Sequence, residues 1–132
     1  SIQIDHLLVA PAGVFLIETK NWSEESITGL SLRSPVDQIE RTSFALYKIL
    51  SQKTNRKSFL NLHHWGEKKI LIRNIITMIR NKPKEEFKFV KVLTLPQLIN
   101  YVKYFEPVFT DDETRGIADY LIGIANRGTW NA

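Results

Sequence analysis

The sequence IQIDHLLVAPAGVFLIETKNW, residues 2–22, sets the fold that we predict for this chain. Two mostly apolar runs, residues 4–9 and 14–17, flank an Ala-Pro-Ala-Gly segment. Proline and glycine between such runs are a strong turn signal, so this part of the sequence predicts a β-hairpin. The remaining elements are expected to pack around it.

The turn also predicts which residues face each other across the hairpin. If Ala10 pairs with Gly13, then Asp5 faces Glu18, and Lys20 lies two residues further along the second strand. Directly opposed residues of an antiparallel pair project from the same side of the sheet. Two carboxylates and a lysine are therefore predicted on one face, at the end of the hairpin away from the turn.

Two opposed acidic side chains are unusual in a strand pair. They destabilise a sheet, and their apolar neighbours indicate strands that are buried on both faces. Close carboxylates in such surroundings need a proton or a cation between them, and Mg²⁺ is commonly held by one or two carboxylates with water and phosphate. The residues alone leave two interpretations open: a metal site, or an ion pair of Glu18 with Lys20 or another basic group that serves only the structure.

The pattern Ile-Asp-His, an apolar strand, a glycine, a second apolar strand and Glu-Thr-Lys-Asn-Trp resembles the nuclease-related domain (NERD) family of the PD-(D/E)XK nuclease superfamily. Asp5 matches the aspartate of the family motif, and Glu18 with Lys20 matches its Glu-x-Lys. The sequence SPVDQ, which ends at Gln38, is similar to the family's Asn-Pro…Gln segment. A bare D…ExK pattern is weak evidence, but the surrounding residues make the resemblance much more specific.

The resemblance implies a metal-dependent nuclease that hydrolyses phosphodiester bonds in DNA, with Mg²⁺ or alternatively Mn²⁺ as its cofactor. Asp5, Glu18 and the Thr19 carbonyl would bind the metal. Lys20 would hold the attacking water or stabilise charge on the phosphate. Gln38 would position water or contact phosphate, the alternative being a glutamine that only faces solvent. The rival functions are a catalytically inactive nucleic-acid-binding module on the same fold and a purely structural accessory domain.

The family places a helix, with another acidic metal ligand, before this hairpin. Here the sequence opens directly on a strand, so we expect the N-terminal helix to be missing and the metal site to be incomplete. The sheet face left bare by that helix is expected to promote association, for instance as a homo-oligomer.

Composition places the chain among soluble single-domain proteins, spanning residues 1–132, with 43% hydrophobic and 24% charged residues. The formal net charge of +4 suits a polyanion such as DNA without requiring one. The absence of cysteine excludes disulfides and Cys-ligated zinc, and it agrees with a cytoplasmic location. No apolar run approaches the roughly 20 residues of a membrane span, and no signal-peptide pattern is present, so no membrane association is expected.

Downstream of the hairpin, apolar periodicity and capping residues predict the other elements. In chain order they are a strand at 27–32, a helix with Ser34 as N-cap, strands at 70–79 and 87–93, and helices capped by Thr94 and Thr110. The adjacent His63 and His64 do not share a helical face and are left out of the site. The order β-β-β-α-β-β-α-α predicts an α/β fold with a mixed sheet flanked by helices. The resemblance implies the same restriction-endonuclease-like core.

Overall fold

The computed structural model describes residues 3–21, 33–51, 69–80 and 86–126. In these ranges the chain forms one mixed four-stranded sheet with three helices, which confirms the predicted α/β class. The elements are β1 (His6–Ala10), β2 (Gly13–Lys20), α1 (Arg33–Ser51), β3 (Ile72–Met78), β4 (Val90–Thr94), α2 (Leu95–Tyr104) and α3 (Asp111–Asn126). The sheet order is β1-β2-β3-β4, with β1 antiparallel to β2 and the other two pairs parallel.

Strand β2 is paired along both edges and forms the centre of the fold. Its residues 13–17 are all buried, as expected of a strand that is covered on both faces. The hairpin register pairs Val9 with Val14 and Leu7 with Leu16, as the turn between β1 and β2 predicts. Because both faces of this strand are apolar, the apolar run does not fix the register, and the turn between β1 and β2 does.

Helices α1 and α3 cover one face of the sheet. Val14 of β2 packs there in a cluster with Leu46 of α1 and Leu121 of α3. Two residues further along the strand, Leu16 packs against Ile39 of α1. Side chains that alternate along β2 therefore reach different helices, and the even-numbered ones point to α1 and α3.

Helix α2 covers the opposite face. Phe15 of β2 lies in a cluster with Tyr101 and Phe105 of α2, and the Phe15 and Phe105 ring centroids are 6.1 Å apart. The guanidinium of Arg73 lies 3.6 Å from the Phe105 centroid and donates a hydrogen bond to the Ala12 carbonyl at 3.0 Å. This arginine therefore ties the hairpin turn to α2 through a cation–π contact and a backbone hydrogen bond.

The turn requires glycine at position 13. Gly13 has a φ of +131°, a region that side-chain-bearing residues rarely adopt. A Cβ atom at this position would lie 3.0 Å from the carbonyl oxygen of Leu71. That same oxygen accepts the backbone hydrogen bond of Val14 at 3.0 Å, so it cannot move away without losing the contact between the turn and the chain before β3.

We expect Gly13→Ala to lower the free energy of unfolding by about 1–3 kcal/mol, because it combines a strained φ with a steric clash. Chemical denaturation followed by circular dichroism measures this loss. Gly123→Ala, inside α3, is the matched control and should not destabilise, since alanine is preferred over glycine in a helix. An unchanged denaturation midpoint for Gly13→Ala would contradict the expectation.

Several predicted boundaries differ from the structure by a few residues. Helix α1 begins at Arg33, so the prediction of Ser34 as its N-cap is wrong and this serine lies in the first turn. Strands β3 and β4 begin at Ile72 and Val90 rather than at residues 70 and 87. The predicted strand at 27–32 and the histidines at 63 and 64 lie outside the described residues.

The two predicted capping boxes are found at the helix starts. The backbone N–H of Thr94 donates to the Gln97 side chain at 2.9 Å at the start of α2. At the start of α3, Thr110 and Glu113 exchange two hydrogen bonds between backbone N–H and side-chain oxygen, of 2.9 and 3.1 Å. Each box satisfies backbone donors that the first helical turn leaves unpaired.

None of the helices within the described ranges has the length and apolar character that crossing a membrane requires.

Candidate metal centre

The first site residue, Asp5, lies just before β1 and is bound to β2. Its carboxylate oxygen Oδ2 accepts a hydrogen bond from the Thr19 backbone N–H at 3.2 Å and from the Thr19 hydroxyl at 3.5 Å. The last strand pair, His6 with Ile17, fixes this position, because the next residues in register are Asp5 and Glu18. The structure therefore brings Asp5 to the end of the hairpin where the turn chemistry predicts it.

The second carboxyl group, that of Glu18, is half-buried and contacts Asp5. Burial raises the pKa of Glu18 above its ordinary value of 4.5, and a hydrogen bond between the two side chains and the negative charge of Asp5 raise it further. The Asp5 backbone amide and the Lys20 ammonium act in the opposite direction and lower this pKa. Burial and the contact with Asp5 therefore disfavour ionisation of Glu18 in the metal-free protein.

Lys20 lies on the same side of β2 as Glu18, since side chains two residues apart in a strand share a face. In the parallel pairing with β3, Glu18 is opposite Ile76 and Lys20 is opposite Met78. Both of these partners are fully buried and pack beneath α1 in one cluster with Ile39. The polar groups consequently sit at the carboxyl end of β2 on an apolar floor, where electrostatic interactions are stronger than in water.

The backbone oxygen of Thr19 points to the edge of β2 that pairs with β1. The Lys20 carbonyl accepts a hydrogen bond from the Ile79 N–H at 2.9 Å, on the β3 side. Successive carbonyls of a strand point to opposite edges, so that of Thr19 faces the β1 side, where Asp5 lies. An oxygen predicted as a metal ligand is therefore placed beside an oxygen of Asp5, and its role as a ligand stays a prediction.

Gln38 lies on α1, the helix that covers the site face. Its side chain is exposed, because the helix turns Val36 and Ile39 inwards to the sheet. Its backbone carbonyl accepts a hydrogen bond from the Thr42 hydroxyl at 3.0 Å. Asp5 is exposed as well, so exposure does not separate the two interpretations, and the positioning role of Gln38 stays a prediction.

The donor set formed by Asp5, Glu18 and the Thr19 carbonyl consists of oxygen atoms. Such a set fits a hard cation such as Mg²⁺, which takes one or two carboxylates and completes its coordination with water or phosphate. Over the ranges that the structure describes, no group of three or more His, Asp or Glu side chains is placed to hold a metal. These oxygens would leave the remaining coordination positions of such an ion to water or phosphate.

An apolar groove that no local sequence pattern indicates opens beside Asp5. It has a volume of about 770 Å³ and runs between β1 and α3, with Leu7, Val9 and Ile122 in its lining. Its lining residues run from Gln3 to Ala125, so only the tertiary fold brings them together. The predicted self-association through a bare sheet face is not tested by this geometry and stays a prediction.

Comparison with known families gives a match over residues 1–79 to the model described as nuclease-related domain. The matched part exceeds half of the 132 residues and contains the hairpin, α1 and β3. No curated protein and no solved structure matches the chain.

Proposed function

This chain belongs to the nuclease-related domain family, and from that premise we propose that it is a metal-dependent nuclease domain of the PD-(D/E)XK type that hydrolyses phosphodiester bonds in DNA. The observation that supports this most directly is the contact between the carboxyl groups of Asp5 and Glu18, with Lys20 beside them. Without a cation, such a pair is unfavourable near neutral pH, so a role in binding a cation explains why the hairpin holds both acids.

The division of labour follows from the donors and acceptors at the site. Asp5, Glu18 and the Thr19 carbonyl would hold Mg²⁺, with Mn²⁺ as the alternative. When bound, the metal supplies an acidified water and offsets negative charge on the phosphate. Lys20 offers three N–H donors that orient the attacking water or stabilise charge developing on a phosphate oxygen. Gln38, exposed on α1, would position water or contact phosphate.

A second candidate is a nucleic-acid-binding module on the same fold that does not cleave. It is supported by the small number of acidic ligands among the described residues and by the net charge of +4, which suffices for phosphate contacts. On this hypothesis DNA affinity depends on salt but not on Mg²⁺.

The test is to incubate the full chain with single-stranded, duplex and branched DNA, with Mg²⁺, with Mn²⁺ and with a chelator. Cleavage that requires the metal supports the nuclease. Salt-dependent binding without cleavage under any condition overturns it in favour of the binding module. If the protein binds neither DNA nor metal, both proposals fail and a structural accessory domain remains.

We expect Mg²⁺ to raise the thermal unfolding midpoint at neutral pH, and we expect this rise to shrink as the pH falls. Because the pKa of Glu18 is raised above 4.5 by burial and by Asp5, its contribution to metal-free stability is full below that ordinary pKa and is lost as the pH rises through the raised pKa. A cation that binds the ionised pair offsets the loss near neutrality and competes with the proton at lower pH.

Thermal unfolding across a pH series, with and without Mg²⁺, measures this effect. Glu18→Gln is the control, because the amide keeps the shape of the side chain and neither ionises nor supplies an anionic ligand. A Mg²⁺ effect of equal size in the parent and in Glu18→Gln would show that the ion acts elsewhere.

A further inference from the structure

A second groove lies on the α1 side of the sheet, at the N-terminal ends of β3 and β4. It has a volume of about 350 Å³ and is lined by residues that include Phe44, Tyr47, Lys69, Asn74 and Phe89. The three rings are 63%, 41% and 66% exposed, in the order Phe44, Tyr47, Phe89. Aromatic side chains gathered at one groove and left in water mark a binding surface more often than scattered apolar residues do.

Positive charge accompanies these rings. The Lys48 ammonium lies 5.3 Å from the ring centroid of Phe44, and that of Lys88 lies 5.2 Å from the centroid of Phe89. Lys69 adds a third ammonium at the rim. Three lysines therefore lie at or beside the groove, and Glu40 is the acidic residue among those that line it. The net positive charge of this surface favours an anionic ligand.

Asn74 lies in the lining of the same groove. Its Nδ2 donates a long hydrogen bond of 3.4 Å to the Phe89 carbonyl. Its Oδ1 is buried and has no hydrogen-bond partner within the described part of the chain. The amide therefore connects β3 to the backbone of Phe89, one of the groove's exposed rings.

The groove also lies on the same face as the candidate metal centre. Asn74 is opposite Leu16, and Ile76 is opposite Glu18, in the β2–β3 pairing. Between the groove and the carboxylates, Leu16 and Ile76 are fully buried against Ile39 of α1, so the two sites are separate openings on this face.

We propose that this groove binds single-stranded nucleic acid, with bases stacked on Phe44 and Phe89. Lys48, Lys69 and Lys88 contact the phosphates. The inference rests on the proposed function for the class of ligand, and it adds that the strand is unpaired where it binds. Stacking on protein rings needs exposed base faces, which a duplex does not offer. An apolar peptide is disfavoured, because it would bury the lysines beside the rings without partners.

The experiment compares the affinity for a labelled mixed-sequence single strand with that for a blunt duplex of the same length, at low salt and in a chelator that prevents cleavage. The double variant Phe44→Ala/Phe89→Ala should bind the single strand about 30-fold more weakly or worse, since one base stacked on a ring is worth at least about fivefold in affinity and two such rings are lost. Its duplex affinity should change less than about twofold. Both rings are largely exposed, so their loss leaves the core intact, which the thermal midpoint checks.

Tyr104→Ala is the matched control, because this ring is 79% exposed on α2, the helix of the opposite face, and lies outside the groove. It should bind both DNAs as the parent does. Unchanged single-strand affinity in the double variant overturns the inference, as does an equal loss for single strand and duplex. Absence of any DNA binding by the parent also overturns it.

The outcome is separable from that of the cleavage test. A parent that cleaves DNA with Mg²⁺ while the double variant keeps its single-strand affinity overturns the groove proposal alone. A parent that binds single strands through these rings but never cleaves overturns the nuclease alone.

Discussion

Glu18→Gln is expected to slow Mg²⁺-dependent DNA cleavage by about a thousandfold or more. The substitution removes one of the two carboxylates at the site and leaves a neutral amide, which is a poor ligand for a hard cation. A bound metal is worth several kcal/mol of transition-state stabilisation, and each 1.36 kcal/mol is a factor of ten in rate. Single-turnover cleavage at saturating DNA measures the loss, because it reports on the chemical step rather than on product release.

The same variant separates catalysis from folding. Because Asp5 and Glu18 are like charges in contact, removing one should leave the metal-free protein as stable as the parent or more stable, by a few tenths of a kcal/mol. Glu106→Gln, an exposed acid after α2, is the matched control and should cleave within about twofold of the parent. Parental cleavage by Glu18→Gln would remove the main support of the proposed function.

The contact that this variant tests was predictable from sequence because the turn fixes the hairpin register. The Pro-Ala-Gly turn sets which residues close the loop. Counting outwards from Ala10 and Gly13 places Asp5 opposite Glu18. A hairpin needs no long-range information, so its geometry follows from local chemistry.

Element ends are less predictable, because they depend on partners that the local sequence does not show. The apolar, β-branched sequence that predicts this strand extends from Ile70 to Ile79, yet β3 runs only from Ile72 to Met78. Those limits are the residues that pair with Val14 and Lys20 of β2. The strand ends where the neighbouring strand stops, and apolar composition continues beyond that point.

The groove that we propose for single-stranded nucleic acid could not be predicted from local sequence, because tertiary structure forms it. Phe44 and Phe89 share a groove only because α1 packs on the sheet near the start of β3 and β4. The same packing turns Gln38 outwards, since Val36 and Ile39 are the α1 residues that contact the sheet. A helical pattern predicts an apolar face, but the angle at which that face meets a sheet is set by the packed side chains.

Lys20→Met is expected to slow cleavage by about a hundredfold, the size of loss seen when one preorganised donor to a developing charge is removed. Methionine keeps the length and apolar stem of lysine but offers no N–H donor and no charge. Lys20→Arg should lose less, because it restores the charge while its planar, wider head group alters the geometry. Lys103→Met, at an exposed position in the last turn of α2, is the matched control and should cleave as the parent does.

The pH profile distinguishes a role of Lys20 at the site from a general loss of positive charge. The ammonium lowers the pKa of Glu18 against the effects of burial and of Asp5. Without it, that pKa rises further, and a higher pH is needed to ionise the carboxylate that binds the metal. The acid limb of the cleavage profile should therefore shift to higher pH in Lys20→Met but not in Lys103→Met. A slower enzyme with an unshifted acid limb would mean that Lys20 acts on DNA alone, and an unchanged rate would exclude it from the site.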